Sequence, residues 1–179
     1  LDIDDAPSRI NQKSTLKNFS YVVGLSTNVF CGSHNLIKLV NSIKTNKALF
    51  IPTAVKLENY NPIDKKNSKI CIGWVGNGRH YQEDLIQLLV EPLKILSQQH
   101  QIRFKLVGAC AVESLYRVFS TIKNLELDFI DELNWSGDDV VGLALSDVDI
   151  GVYPLLNNDF NSLKCGFKAL EYMAMKIPV

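Results

Sequence analysis

The sequence predicts an α/β domain built on a doubly wound, Rossmann-like parallel sheet. From residue 69 onward, short apolar segments alternate with amphipathic segments whose leucines recur at helical spacing. Glycines follow two of the apolar segments, at Gly76-Asn77-Gly78 and at Gly108. Strands that alternate with helices form βαβ units, in which helices cover both faces of a parallel sheet.

The elements of this domain follow from local patterns. The predicted strands are 70–75, 102–106, 125–129, 148–153 and a fifth that begins at Pro178-Val179. The predicted helices are one that carries Leu85, Leu89, Leu93 and Leu96, one from 115 to 122, one at about 138–146 and one at 166–176. Pro92 is expected to kink or divide the first helix, because its ring displaces a backbone donor.

The upstream part predicts the remnant of another domain. Strands are expected at 21–25 and 48–52, with a helix at about 35–43 and a polar loop at 28–35. We assign residues 1–54 to the end of an N-terminal domain, 55–68, which includes Lys65-Lys66, to a linker, and 69–179 to the main domain, truncated at its C-terminal end. Because the chain lacks an initiator Met and stops where a strand would begin, it is expected to be a fragment.

Charge and composition exclude several classes of function. Nineteen basic residues balance nineteen acidic ones, which gives no general electrostatic reason to bind nucleic acid or an anionic membrane. No apolar run approaches the roughly 20 residues that cross a bilayer. The four cysteines share no metal-ligand spacing. These features favour a cytoplasmic protein with reduced thiols and no transmembrane segment.

Ligands of an open parallel sheet bind outside the carboxyl ends of the strands, which here selects the loops 76–80, 108–111, 131–136 and 153–165. In the first loop, Gly76-Asn77-Gly78 followed by Arg79 permits a phosphate to approach backbone N–H groups, with His80 as a further cation. Tyr81 occupies the position of the third glycine in the G-x-G-x-x-G fingerprint of nicotinamide-binding proteins, which argues against binding of a nicotinamide cofactor. The alternative is a tight turn in which Asn77 and Gly78 have positive φ.

The last loop leads into a helix that begins at Gly166, with Lys164 and Lys168 close by. Free backbone donors and the positive end of the helix dipole favour a diphosphate there. Glu171 lies further along the helix, where its carboxylate could accept hydrogen bonds from two ribose hydroxyls. The alternative for Glu171 is a solvent-facing side chain that pairs with a lysine.

One acidic motif is typical of metal-dependent transferases. Asp147-Val148-Asp149 has the DxD form, but it leads directly into a buried strand and is interpreted as the entry to that strand. No metal and no resident cofactor are therefore predicted. No residue is assigned a catalytic role.

Four segments together carry a resemblance to a known family. They are Ile72-Gly73-Trp74-Val75-Gly76, Phe104-Lys105-Leu106-Val107-Gly108, Asp149-Ile150-Gly151-Val152-Tyr153-Pro154-Leu155, and Lys164-Cys165-Gly166-Phe167-Lys168-Ala169-Leu170-Glu171-Tyr172-Met173-Ala174 with Pro178-Val179. Residues 69–179 resemble the donor-binding domain of glycosyltransferase family 4, the group 1 glycosyltransferases, which have the GT-B fold. The last segment is the most specific of the four.

The resemblance implies roles for individual residues. Glu171 resembles the second of the family's paired glutamates, which binds the donor ribose, and Gly166 and Phe167 resemble the segment that meets the donor phosphates. Lys164 matches a basic position before that segment, and Gly76 matches the glycine of the first loop. The sequence departs from the family at the first paired glutamate, which is Leu163 here, and at the basic residues of the first loop, for which Arg79 and His80 are substitutes.

The implied function is transfer of a sugar from a nucleoside diphosphate sugar to an acceptor hydroxyl with retained anomeric configuration. The nucleotide sugar is a co-substrate, and the parent protein is expected to be the active enzyme while this fragment turns over little. Two alternatives stay open, namely a GT-B nucleotide-sugar epimerase and a non-catalytic α/β module that binds nucleotide or acts as a scaffold. The base, the sugar, the acceptor and the oligomeric state are not given by the sequence.

Overall fold

The computed structural model describes residues 1–7, 10–64, 68–134 and 137–179. These residues form two compact units, Leu1–Ala54 with Asn157–Phe167, and Val55–Leu156 with Lys168–Val179. The first unit thus includes a segment that the sequence-based division placed within 69–179. Lys65-Lys66 of the predicted linker and Ser136 at the end of the third predicted loop lie outside the described residues.

The elements are numbered in chain order. The strands are β1 (Asp2–Ile3), β2 (Val29–Cys31), β3 (Ala48–Phe50), β4 (Ile70–Val75), β5 (Ile102–Val107), β6 (Leu125–Ile130) and β7 (Ile150–Gly151). The helices are α1 (Lys13–Leu25), α2 (His34–Ile43), α3 (Gly78–Gln99), α4 (Glu113–Phe119), α5 (Val140–Leu145), α6 (Asp159–Ser162) and α7 (Phe167–Ala174), with a 3-10 helix at Leu57–Asn59. No helix of the described residues combines the length and apolar character that a membrane span requires.

The first unit is a parallel sheet in the order β1-β2-β3. Val29 and Cys31 of the central strand are buried in its core, against Phe19 and Val23 of α1. Two predictions were wrong here. Residues 21–25 are the end of α1 and not a strand, and the predicted loop at 28–35 contains β2.

The second unit confirms the doubly wound parallel sheet, with four strands in the order β6-β5-β4-β7 among the described residues. Side chains of β4 alternate between two cores. Trp74 and Ile72 pack with α3 and α4 on one face, whereas Cys71 and Val75 pack with α5 and α7 on the other. Both faces of β4 are covered, which explains why this strand is apolar throughout.

The helix α3 continues through Pro92 for 22 residues, so this proline does not divide it, and the alternative of a kink stays a prediction. Pro92 and Leu88, whose carbonyl loses its partner, both lie on the exposed side of the helix. Water can therefore satisfy the carbonyl that the missing N–H leaves unpaired.

The last predicted strands are shorter than the pattern suggests. β7 has two residues, Ile150 and Gly151, paired with Ile72 and Gly73 of β4. The strand predicted at Pro178-Val179 is not formed, and the Gly151 N–H donates a single hydrogen bond to the Pro178 carbonyl oxygen at 2.8 Å.

An ion cluster lies beside β5 in the second unit. Asp147 accepts from Arg103 at 2.7 Å and from Lys105 at 2.8 Å, and Asp128 of β6 lies 3.5 Å from the Arg103 guanidinium. Lys105 is only 7% exposed. Burial alone would raise the pKa of Asp147, but Lys105 and Arg103 bring it below the ordinary value. The cluster stabilises two cations that the sheet would otherwise bury unpaired.

We expect Asp147→Asn to lower the free energy of unfolding at pH 7 by about 1–3 kcal/mol, because Arg103 and Lys105 lose a charged partner. A carboxylate whose pKa is lowered on folding stabilises the protein above its unfolded pKa, and this stabilisation is lost as the pH falls through the folded pKa. The difference between parent and variant should therefore disappear in strong acid. Urea unfolding between pH 2 and pH 7 measures it, with Asp64→Asn at an exposed position as the control. An equal deficit at every pH would contradict the prediction.

Candidate nucleotide site

A cavity of about 450 Å³ lies at the carboxyl ends of β4, β5 and β6 in the second unit. Its lining is Val75, Gly76, Asn77, Val107, Gly108, Cys110, Asp131, Glu132 and Leu133. The valines and the leucine contribute apolar surface, and the two acidic residues contribute carboxylates. Three of the four predicted ligand loops thus come together at one cavity, as the carboxyl-end rule requires.

The first loop is held by its own side chain. The Asn77 side-chain oxygen accepts hydrogen bonds from the N–H groups of Arg79 and His80, and the Gly78 N–H donates to the Gly108 carbonyl oxygen at 2.7 Å. Asn77 has a φ of −105°, and Gly78 is not among the glycines of positive φ, so the tight-turn explanation was wrong. The first N–H groups of α3 are therefore already paired. A phosphate could bind them only if the Asn77 side chain moved away, and phosphate binding by this loop stays a prediction.

Arg79 and His80, the predicted substitutes for the family's basic residues, lie on the exposed side of the first turn of α3. The Arg79 Nε donates to the Cys110 carbonyl oxygen at 3.4 Å, which links the first loop to the second. The guanidinium is therefore near the cavity that Cys110 lines.

The ammonium of Lys168, in the first turn of α7, lies among aromatic rings. Its Nζ is 4.4 Å from the ring centroid of Tyr81, 5.3 Å from that of Tyr153 and 6.0 Å from that of Trp74. It also donates to the Tyr81 hydroxyl at 3.4 Å. A Cβ on Gly76 would approach the Lys168 Cε to 2.6 Å, so this cation is held directly against the first loop.

Glu171 is buried, at 7% exposure, and its Oε1 accepts a hydrogen bond from the Tyr60 hydroxyl at 2.9 Å. Burial raises the pKa of Glu171, although the Tyr60 hydrogen bond and the positive charge of Lys168 oppose the shift. The alternative of a solvent-facing Glu171 was therefore wrong. A buried carboxylate whose charged form is disfavoured is typical of a functional position.

The amino end of α7 differs from that of α3. Gly166, with a φ of +78°, precedes the helix, and none of the described residues supplies an acceptor to the N–H groups of Phe167, Lys168 or Ala169. A helix N-terminus with unpaired donors attracts anions. The predicted phosphate-binding role of Gly166 and Phe167 stays a prediction.

Lys164 and Leu163 belong to the first unit. The Lys164 ammonium lies 3.6 Å from the Asp5 carboxylate and 4.2 Å from the centroid of the Phe160 ring. Leu163, at the position of the family's first paired glutamate, is buried in the core of that unit. The leucine thus has a packing role in this chain.

Both carboxylates of the DxD motif act within the sheet. Asp147 belongs to the ion cluster, and the Asp149 carboxylate accepts from the Cys71 N–H of β4 at 2.9 Å. This geometry agrees with the interpretation of the motif as the entry to a strand.

The sequence analysis missed two side chains of this region. Tyr60 was placed in a linker, and its bond to Glu171 spans 111 positions, which no local pattern reveals. Asp131 was only part of a ligand loop, although its Oδ1 accepts from the Ala111 N–H at 2.6 Å and from the Tyr116 hydroxyl at 2.8 Å. Its position directly after β6 could have identified Asp131 as a candidate ligand-binding residue, because ligands bind outside the carboxyl ends of parallel strands.

We expect Glu171→Gln to raise the free energy of unfolding at pH 7 by about 0.5–2 kcal/mol, because the variant no longer buries a negative charge. A carboxyl group whose pKa is raised on folding stabilises below its unfolded pKa, and this stabilisation is lost as the pH rises through the folded pKa. The advantage of the variant should therefore shrink towards pH 4. Urea unfolding at pH 4 and pH 7 tests this, with the exposed Glu83→Gln as the control. A variant less stable than its parent at pH 7 would contradict it.

Comparison with solved structures identifies the fold. Sucrose-phosphate synthase from Thermosynechococcus elongatus superposes with a TM-score of 0.69 at 14% identity, over 99% of this chain and 48% of that protein. TarM gives a TM-score of 0.66 at 14% identity, over 99% of this chain and 35% of TarM. These neighbours are glycosyltransferases of the GT-B fold. At this identity the likeness shows the fold alone, and the chain spans less than half the length of either protein.

Comparison by sequence identifies the family of the chain. A search of curated proteins finds no significant match. A family model described as "Glycosyl transferases group 1" matches residues 69–179, more than half of the chain. The chain therefore belongs to the group 1 glycosyltransferases.

Proposed function

We propose that this chain carries the donor-binding part of a retaining glycosyltransferase, which moves a sugar from a nucleoside diphosphate sugar to an acceptor hydroxyl. The observation that carries the proposal is the buried carboxylate of Glu171. It lies on the same helix as the aromatic-held Lys168, which in turn packs against Gly76 at the cavity. One helix thus presents a ribose acceptor, a cation and unpaired N–H donors.

The strand order supports an arrangement of subsites. The cavity opens at the ends of β6, β5 and β4, whereas α7 follows β7 at the other side of β4. A nucleotide with its base in the cavity would place the ribose at Glu171 and the diphosphate at the first turn of α7. This is the usual position of phosphates in doubly wound sheets, at a helix N-terminus by the topological switch point.

The chemistry fits such a site. As the bond to the sugar breaks, negative charge develops on the leaving diphosphate. Fixed N–H donors of α7 and the Lys168 ammonium would stabilise that charge more in the transition state than in the ground state. Retention of configuration rests on the family resemblance, and the proposal requires no metal or resident cofactor.

Several parts of the proposal rest on the resemblance alone. They are the donor contacts of Lys164, Gly166 and Phe167, the expectation that the isolated chain turns over little, and the acceptor hydroxyl. A cytoplasmic location is proposed because all four cysteines are free thiols, as a reducing compartment would keep them.

A non-catalytic nucleotide-binding module is the second candidate, and Leu163 is the observation that favours it. A buried leucine replaces a family glutamate there and serves the core of the first unit. Such a module would bind nucleotide and transfer no sugar in the full-length protein.

We expect the chain to bind a nucleoside diphosphate, and Glu171→Gln to weaken that affinity about tenfold to a hundredfold, because charged hydrogen bonds to the ribose are lost. Calorimetric titration with UDP, GDP and ADP measures both. Glu83→Gln is the matched control on an exposed surface. Absence of binding by the parent chain at millimolar concentrations of all three would overturn the proposed donor site.

We expect Lys168→Met to weaken binding of a nucleoside diphosphate at least tenfold and to leave binding of the corresponding nucleoside almost unchanged, because in the proposed arrangement the Lys168 charge contacts the diphosphate and not the nucleoside. Methionine keeps a long apolar side chain against Tyr81 and Trp74. Lys94→Met, at an exposed position of α3, controls for loss of one positive charge. Equal losses for the diphosphate and the nucleoside would contradict the phosphate role of Lys168.

A further inference from the structure

Asp131 is a carboxylate of fixed orientation at the cavity. It follows β6 directly and is partly buried. Its Oδ1 receives two donors from the segment after β5, the Ala111 N–H at 2.6 Å and the Tyr116 hydroxyl at 2.8 Å. Cys110 and Ala111 both have left-handed backbones, with φ values of 57° and 52°, and this uncommon conformation directs the Ala111 N–H to the carboxylate.

The remaining hydrogen-bonding capacity of Asp131 can be counted. An ionised carboxylate accepts at about four lone-pair positions, two on each oxygen. Ala111 and Tyr116 both use Oδ1, and no other described residue donates to this carboxylate, so two positions remain on Oδ2. A ligand edge that fills both positions by itself offers two neighbouring donors and no acceptor beside them.

The apolar part of the cavity suits a flat ring, since Val75, Val107 and Leu133 line it. Among the nucleobases, guanine offers N1–H and N2–H₂ as adjacent donors on one edge. Adenine and cytosine each place an acceptor ring nitrogen beside their amino group, and uracil places carbonyl oxygens on both sides of its N–H. A carboxylate repels those acceptors.

We infer that the sugar donor of this enzyme is a guanine nucleotide, and that the Asp131 carboxylate accepts hydrogen bonds from the N1–H and N2–H₂ groups of the guanine. The inference rests on the proposed function, because it assumes that the base enters this cavity. Asp131 is therefore the residue that determines which nucleoside diphosphate the site accepts.

The first experiment compares nucleotides on the unmodified chain. Calorimetric titration with GDP, IDP, XDP, UDP and ADP should give the highest affinity for GDP. IDP lacks the 2-amino group and should bind about tenfold more weakly, and XDP, which has a carbonyl there, should bind weaker still.

The second experiment removes the acceptor for the base with Asp131→Asn. The two donors from Ala111 and Tyr116 require an oxygen at Oδ1, so they hold the asparagine with its Nδ2 group in the place of Oδ2. The variant then donates where the parent accepts, so the N1–H and N2–H₂ donors of guanine lose their acceptor, and we expect GDP to bind the variant about tenfold or more weakly than the parent. Glu113→Gln, an exposed neighbour on α4 outside the cavity, controls for loss of one negative charge.

The outcomes separate the inference from the proposed function. Tighter binding of UDP or ADP than of GDP by the parent overturns the guanine assignment and leaves the donor site standing. Binding of none of the five nucleotides overturns the proposed function itself. A preference for GDP that Asp131→Asn leaves intact, or that Glu132→Gln abolishes instead, overturns the role of Asp131.

Discussion

The crossing of two loop backbones at Gly76 and Gly108 is the constraint on which the candidate nucleotide site depends. A Cβ on Gly108 would lie 1.8 Å from the Gly76 carbonyl oxygen, and one on Gly78 would lie 2.7 Å from the Ala109 carbonyl oxygen. Only glycine permits this approach. Because the loops touch, the carboxyl ends of β4 and β5 open onto one cavity, and Asn77 is placed where it caps α3. These glycines therefore serve loop packing, although their spacing also resembles that of a phosphate-binding loop.

Two carboxylates of the second unit, the partly buried Asp147 and the buried Glu171, illustrate how a structural acid differs from a candidate functional acid. Asp147 lies between two cations, and their charges outweigh the burial that would disfavour its ionised form. Glu171 has one hydroxyl donor and the charge of Lys168 nearby, and burial dominates. The first arrangement stabilises the sheet, whereas the second holds a carboxylate that a ligand could satisfy better than the protein does. Proteins commonly tolerate such a loss of stability at a polar residue when that residue binds a ligand.

Local periodicity predicted the second unit because each of its strands and helices carries its own pattern. In the first unit it predicted α2 and β3 but failed at the apolar run 21–25, which looks like a strand but ends a helix whose buried residues, Phe19 and Val23, are four apart. The three-residue strand β2 is too short to show a period. For the site, the sequence placed Glu171 on the correct helix, but its burial depends on Tyr60, which is remote in the chain.

The distinction between local sequence patterns and contacts of residues remote in the chain also applies to the specificity for the base. The features that α7 supplies follow from a continuous motif, and a motif can be found in a sequence. The orientation of Asp131 depends instead on the left-handed backbone at Ala111 and on a hydroxyl of α4, which meet only when β5 and β6 pair. Parallel pairing brings the ends of these strands to one edge, and the loops beyond that edge can vary without disturbing the sheet. In the proposed site, recognition of the base can therefore change by substitution in the loops after β5 and β6, while α7, the helix proposed to bind the phosphates, keeps its sequence.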